Sequence, residues 1–182
     1  MTRDPFGAIA ASLDPPVIVV TAAEAGEQAG CLVGFHGQSS IEPRRYCVWL
    51  SKANHTYRVA LRSGYLGIHF LSQADLGLAE LFGTRSGDTV DKFAGLPLSQ
   101  GPGGVPVLRQ CTHWLVARRA TLLDEGGDHV CVIAEPVTGH AAGRLDPLRL
   151  SRVAHLEPGH GSRERPDPPT ERAGRPAPFE DQ

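Results

Sequence analysis

Residues Ser51, Lys52, Asn54 and Thr56 bring two hydroxyls, an amide and an ammonium into one short stretch, between an apolar run and the opening of a predicted helix. Donors of this kind, gathered around the open amides of a helix start, are what binding a phosphate monoester requires. The chemistry to expect there is recognition of a phosphorylated cofactor. Asn54 is also a favoured N-cap residue, and the two roles do not exclude each other. A second group is Asp128-His129, which follows Gly126-Gly127 and either closes a hairpin turn or carries an imidazole to a nucleotide site. No acid/base pair stands out. His36, His69, His113, His140 and His155 lack metal-ligand spacing, so no metal site is expected.

The chain has 182 residues, 41% hydrophobic and 21% charged, which suits one globular domain with a substantial core. A formal net charge of -2 gives no footprint for nucleic acid and no polybasic membrane anchor. No apolar run approaches the roughly 18 residues that span a bilayer, and the first residues lack a signal-peptide layout, so the expected address is cytoplasmic. Cys31, Cys47, Cys111 and Cys131 show no C-x-x-C pairing and sit mostly in apolar runs, which predicts reduced, buried thiols.

The positioning elements are mainly strands. Val17 to Thr21, Ala29 to Phe35 and Tyr46 to Leu50 are apolar runs bounded by breakers, and short connections make them antiparallel neighbours. A helix opens at Asn54 with Gly64 as its stop, a strand covers Tyr65 to Leu71, and a second helix runs from Ser72, with Asp75 in capping-box spacing, to Gly83. Gly83 to Gly104 is a long excursion with a brief helical turn, and such loops usually carry function. Cys111 to Leu123 and His129 to Val137 form a hairpin around Asp124 to Asp128, and a last short strand is expected over Leu150 to Leu156.

Residues 1–11 read as an N-terminal arm, 12–156 as the folded domain, and 157–182, rich in Pro, Arg and Glu, as a disordered tail. Without β-α-β alternation, the expected fold is mainly β: an antiparallel barrel with Greek-key connections and short inserted helices. The run Gly101 to Gly104 lacks the G-x-G-x-x-G spacing of a dinucleotide fold.

Ala29-Gly30, Ser40-Ile41-Glu42-Pro43, Ser51-Lys52-x-Asn54-x-Thr56, Asp91-Lys92-Phe93 and Gly127-Asp128-His129 stand in an ordered series. In that order the chain resembles the flavin reductase-like family, the FMN-binding split barrels, from about Ser12 to Leu156. The resemblance implies a homodimer of six-stranded antiparallel split β-barrels that bind FMN, with FAD as the alternative flavin. It also implies reduction of that flavin by NADH or NADPH, often for a separate monooxygenase component.

Carried over by position, Val33, Gly34, Gln38, Ser39 and Ser40 line the isoalloxazine ring. Ser51, Lys52, Asn54 and Thr56 hold the phosphate, Arg85 and Lys92 add cations, and His129 approaches the nicotinamide. The chain departs from the family's Ser/Thr-rich ring stretch at Gly34-Phe35-His36-Gly37-Gln38, and from its Pro-Pro at Pro43-Arg44. Ring contacts through backbone groups are therefore expected, with Gly34 and Gly37 permitting close approach. A binding module that holds flavin or another cofactor without nicotinamide turnover is the competing reading.

Overall fold

The structure is a computed structural model and describes residues 4–159. Nine strands and four α-helices occur among them: β1 Ile18–Glu24, β2 Glu27–Val33, β3 His36–Ser40, β4 Arg45–Ser51, β5 Tyr65–Phe70, β6 Leu98–Gln100, β7 Pro106–Leu108, β8 His113–Leu123 and β9 His129–Ala141. The helices are α1 Pro5–Leu13, α2 His55–Ala60, α3 Leu76–Thr84 and α4 Leu150–Val153. Seven strands form one sheet in the order β2-β1-β5-β8-β9-β4-β3, with every pair antiparallel, and β6-β7 make a separate ribbon.

The curled sheet is the expected antiparallel barrel class, with seven strands where the resemblance implies six. The additional strand is β3, from a segment read only as ring-contacting. Its few polar residues carry no apolar alternation, and it is a strand because β4 supplies its partners, from His36↔Val48 to Ser40↔Arg45. The sheet curls without a ladder between β2 and β3, and the Trp49 N–H donates to the Phe35 carbonyl at 2.9 Å beside that seam.

β1 shows why its run is continuously apolar: both of its faces are buried. Ile18, Val20 and Ala22 enter the barrel interior with Leu50, Leu66 and Ile68. Val17 and Val19 face a second apolar cluster, where Leu78, Ala79 and Phe82 of α3 cover the sheet. A Cβ at Gly30 would stand 2.6 Å from Phe82 Cε1, so glycine there lets α3 lie against β2. The β1–β2 hairpin turns through Ala25 and Gly26, both at positive φ, the backbone of a type I′ turn.

Three local readings need correction. The N-terminal arm contains α1, started by Pro5 at its first position and by Asp4, whose carboxylate accepts from the amides of Phe6 and Gly7. Leu150 to Leu156, expected as a strand, opens with α4 instead. Helix α2 has only six residues and stops well before Gly64.

The capping arrangement at Ser72 is present: its backbone N–H and its hydroxyl both donate to Asp75 Oδ2, at 2.8 and 2.7 Å. All four cysteines are free and buried. No helix among the described residues is long and apolar enough to cross a membrane. The tail expected from 157 lies outside the described residues from 160 onward.

Candidate functional site

Strand β4 runs out of the barrel at Ser51, and α2 begins four residues later at His55, capped by the Asn54 side-chain oxygen on the Thr56 N–H at 3.0 Å. Across the ladder Ser51 is paired with His129, the first residue of β9. The end of β2 lies against this junction and supplies Cys31, Leu32, Val33 and Gly34. Together they enclose a cleft of about 210 Å3 with Phe35, Trp49, Ser51, Asn54, His129 and Leu150 on its walls. The cleft wall is mainly apolar, with Ser51, Asn54 and His129 as its polar members.

Two neighbouring hollows share its walls. One of about 340 Å3 runs from Trp49 and His129 to the Gly127-Asp128 turn, and one of about 400 Å3 runs from Trp49 and Phe35 to Pro15 and His36. The cleft alone is smaller than the roughly 300 Å3 at which ligand pockets usually begin, and Trp49 lines it and both neighbouring hollows.

Five of the residues expected from sequence therefore come together: Val33, Gly34, Ser51, Asn54 and His129. The His129 imidazole is oriented by Asp128, with Nδ1 2.8 Å from Oδ1, and by the edge of the Phe35 ring, centroid to centroid 5.3 Å. That hydrogen bond is the first cause holding the Asp128 carboxyl below its usual range.

The other expected residues are placed elsewhere. Gln38, Ser39 and Ser40 line a separate shallow depression with Ile41 and Glu42, because β3 carries them away along the sheet edge. Thr56 is buried, and its hydroxyl faces the Cys31 thiol rather than solvent. Arg85 is exposed just past the end of α3, away from the cleft walls.

Lys92 is buried, its ammonium donating to the carbonyls of Gly30 at 2.9 Å and Phe82 at 3.3 Å, and lying 5.8 Å from the Phe82 ring centroid. It ties the long excursion to β2 and α3 and offers no cation to the cleft; desolvation lowers its pKa. Lys52 is not on the cleft wall either. Its ammonium lies 2.9 Å from Asp124 Oδ1, and its own N–H donates to the Asp128 carbonyl at 2.9 Å.

The sequence reading takes in Phe35 only as part of the ring-contacting stretch and gives Trp49 and Leu150 no part in the site. Trp49 was readable, since Val48 and Leu50 on either side are core and alternation turns Trp49 outward, where it is 37% exposed. Leu150 had no local signal. It reaches the cleft because Asp14 accepts from the Ser151 N–H at 2.8 Å and its hydroxyl at 2.9 Å, while the Leu150 N–H donates to the Pro15 carbonyl.

A larger cleft of about 470 Å3 lies beyond α2, between the β1–β2 turn and residues 87–93. Its rim is an ion-pair chain in which His55 bridges Glu27, at 3.3 Å, and Asp88, at 3.0 Å. Arg62 and Arg58 complete the chain. Those charges are mutually paired, which suits a strut between α2 and two loops.

A model of the flavin reductase like domain matches residues 10–153. Among curated relatives, a ferric-chelate reductase (NAD(P)H) of Archaeoglobus fulgidus is 25% identical over 120 residues, covering 65% of this chain and 71% of its own. A flavin reductase of Pseudomonas putida is 26% identical over 129 residues, covering 70% and 74%.

The crystal structure of nitrilotriacetate monooxygenase component B from Mycobacterium thermoresistibile superposes with a TM-score of 0.69 at 19% identity, covering 79% of this chain and 78% of that one. A Sinorhizobium meliloti 1021 structure gives the same TM-score at 24% identity over 81% of this chain. The chain spans about half the length of that protein. At such identities the solved structures establish the fold alone.

Proposed function

The chain belongs to the flavin reductase-like family, and from that premise we propose that it is an NAD(P)H-dependent flavin reductase that takes FMN in the trough around Trp49. The observation that carries this reading is the cleft itself: a mainly apolar slot with a glycine in its wall, polar members at Ser51 and Asn54, and an oriented imidazole at its rim. The names of the two curated relatives support the reaction class. FAD remains the alternative flavin.

The donor set fits the group. A planar ring needs flat apolar walls and close backbone approach, and a Cβ at Gly34 would meet only Leu150 Cδ1, at 3.7 Å, so the slot is open there. When bound, flavin supplies the hydride-accepting ring, and no protein nucleophile is needed. Phe35, Trp49 and Leu150 exclude water from the ring faces. Ser51 and Asn54 mark the phosphate end. His129, its rotation fixed by Asp128, stands where a nicotinamide would be set against the ring.

The same reading makes the protein a cytoplasmic homodimer that hands reduced flavin to a monooxygenase component. The exposed Phe35, Trp49 and Leu123 give the trough an apolar rim that a second copy would cover, and the component B likeness in fold is compatible with such a partner.

Purified protein supplied with FMN is expected to oxidise NADH or NADPH, followed by loss of nicotinamide absorbance. Binding of FMN without consumption of either nicotinamide would reject the reductase and leave a flavin-holding module. Gly34→Leu is expected to fill the slot and weaken both FMN and riboflavin by roughly 5- to 100-fold, the effect of about 1–3 kcal/mol of overpacking. Its melting temperature should stay within about 2 °C of wild type, because surface changes of this kind are worth only ±0.5 kcal/mol. Unchanged flavin affinity would place the ring elsewhere.

A further inference from the structure

We propose that Asp124 is a tethered carboxylate that competes with the terminal phosphate of the flavin for the Lys52 ammonium, and so sets how strongly the site distinguishes FMN from riboflavin. The inference rests on the flavin reading above and adds a specificity-determining residue to it.

Lys52 lies in sequence between Ser51 and Asn54, both on the cleft wall, yet its own side chain is drawn off that wall. The cause is visible: Nζ lies 2.9 Å from Asp124 Oδ1, in a pair whose lysine is 10% exposed and whose aspartate is 48% exposed. The recessed partner is the cation and the solvent-facing partner is the carboxylate, so an arriving anion meets Asp124 first. Asp124 opens the β8–β9 turn, where its Oδ1 also accepts from the Gly126 N–H at 2.9 Å. Asp128 of the same turn adds a further negative charge that the Lys52 charge reaches.

A phosphate monoester carries more charge than a carboxylate and presents three acceptor oxygens. It can therefore take the ammonium while Asp124 turns to water and keeps its bond to Gly126. The exchange costs FMN one partly exposed ion pair. Riboflavin has no phosphate and leaves the pair intact. The turn that gives up Asp124 is the one that carries Asp128 and His129, still held to β4 through the Lys52 N–H on the Asp128 carbonyl.

The test is titration of flavin fluorescence with the full-length protein, using FMN and riboflavin as the two probes. Asp124→Asn keeps an acceptor for Gly126 while removing the charge. It is expected to tighten FMN by about two- to fivefold, the range of a surface ion pair, and to leave riboflavin unchanged. Asp124→Glu should restore the wild-type ratio. In a Lys52→Ala background Asp124→Asn should have no effect on the ratio, since the cycle then lacks the shared cation.

If Asp124→Asn weakens both flavins alike, Asp124 merely braces the turn and the proposal is overturned. An unchanged FMN-to-riboflavin ratio overturns it as well, with the flavin site left standing. If the wild type binds neither flavin, the flavin reading itself fails and takes the proposal with it.

Discussion

Replacing Lys52 and Asn54 together by alanine is expected to weaken FMN about a hundredfold while riboflavin shifts by no more than about threefold. Charge-assisted hydrogen bonds contribute about 1.5–3 kcal/mol each. Two of them, less the competition from Asp124, leave about 3 kcal/mol, which is about a hundredfold. Helix α2 spans six residues, so its dipole adds little and the side chains must supply the grip.

Asn54→Ala also removes the cap on the Thr56 N–H and is expected to lower stability by about 1 kcal/mol. Asn54→Ser, which keeps a capping oxygen, separates that effect from binding. Fluorescence titration of both flavins is the measurement. Equal weakening of FMN and riboflavin would show that these residues shape the slot and do not hold a phosphate.

The parts of this fold that could be read from the chain are those in which a local pattern and the tertiary environment agree. β1 is buried on both faces and is correspondingly apolar at Ile18 to Val20 and at Ala22 and Ala23, with the buried Thr21 hydroxyl donating to the Pro106 carbonyl. β4 buries Cys47, Val48 and Leu50, β9 buries Val130 to Val132 and Ala134, and both are apolar there. Helix α2 announces itself through Asn54, and the tight turn Gln73–Asp75 that leads into α3 through the Ser72/Asp75 arrangement, because a cap is a local hydrogen bond.

β3 could not be read, since its strand character lies in its pairing with β4 and not in its composition. Nor could the fate of Lys92. Sequence presents an ammonium in a long polar excursion, whereas the fold folds it under and satisfies it with two backbone carbonyls. Leu150 joins the cleft only through the distant clasp of Asp14 on Ser151. The cleft is accordingly half legible: Val33, Gly34, Ser51, Asn54 and His129 can be read from the chain, whereas Trp49 sits inside an apolar run, where only alternation marks it, and Leu150 arrives by long-range closure.

His69→Leu is expected to lower unfolding stability by about 3 kcal/mol at neutral pH and by almost nothing near pH 4. His69 is fully buried between β1 and β7. The Leu108 N–H donates to its Nε2 at 3.0 Å, so Nε2 carries no proton, and Nδ1–H donates to the Val19 carbonyl at 3.2 Å. Leucine fills similar space but leaves that N–H and that carbonyl unpaired in the core, about 1–3 kcal/mol for each. At this chain length that lowers the melting temperature by about 6–12 °C.

Burial pushes the His69 pKa down to about 4, against about 6.5 in the unfolded chain. Between those values the unfolded state binds a proton that the native state does not. Wild-type stability is therefore complete above about pH 6.5 and falls as pH drops toward 4, by at most about 3 kcal/mol. The leucine variant lacks this dependence, while every other titrating group is common to both proteins.

The two stability curves should thus converge on acidification. Denaturant unfolding of both proteins at pH 4, 5, 6 and 7 measures the gap. A gap that stays constant across that range would mean that His69 takes up its proton alike in the native and unfolded states, and that the Leu108 bond is not what holds β7 to the barrel.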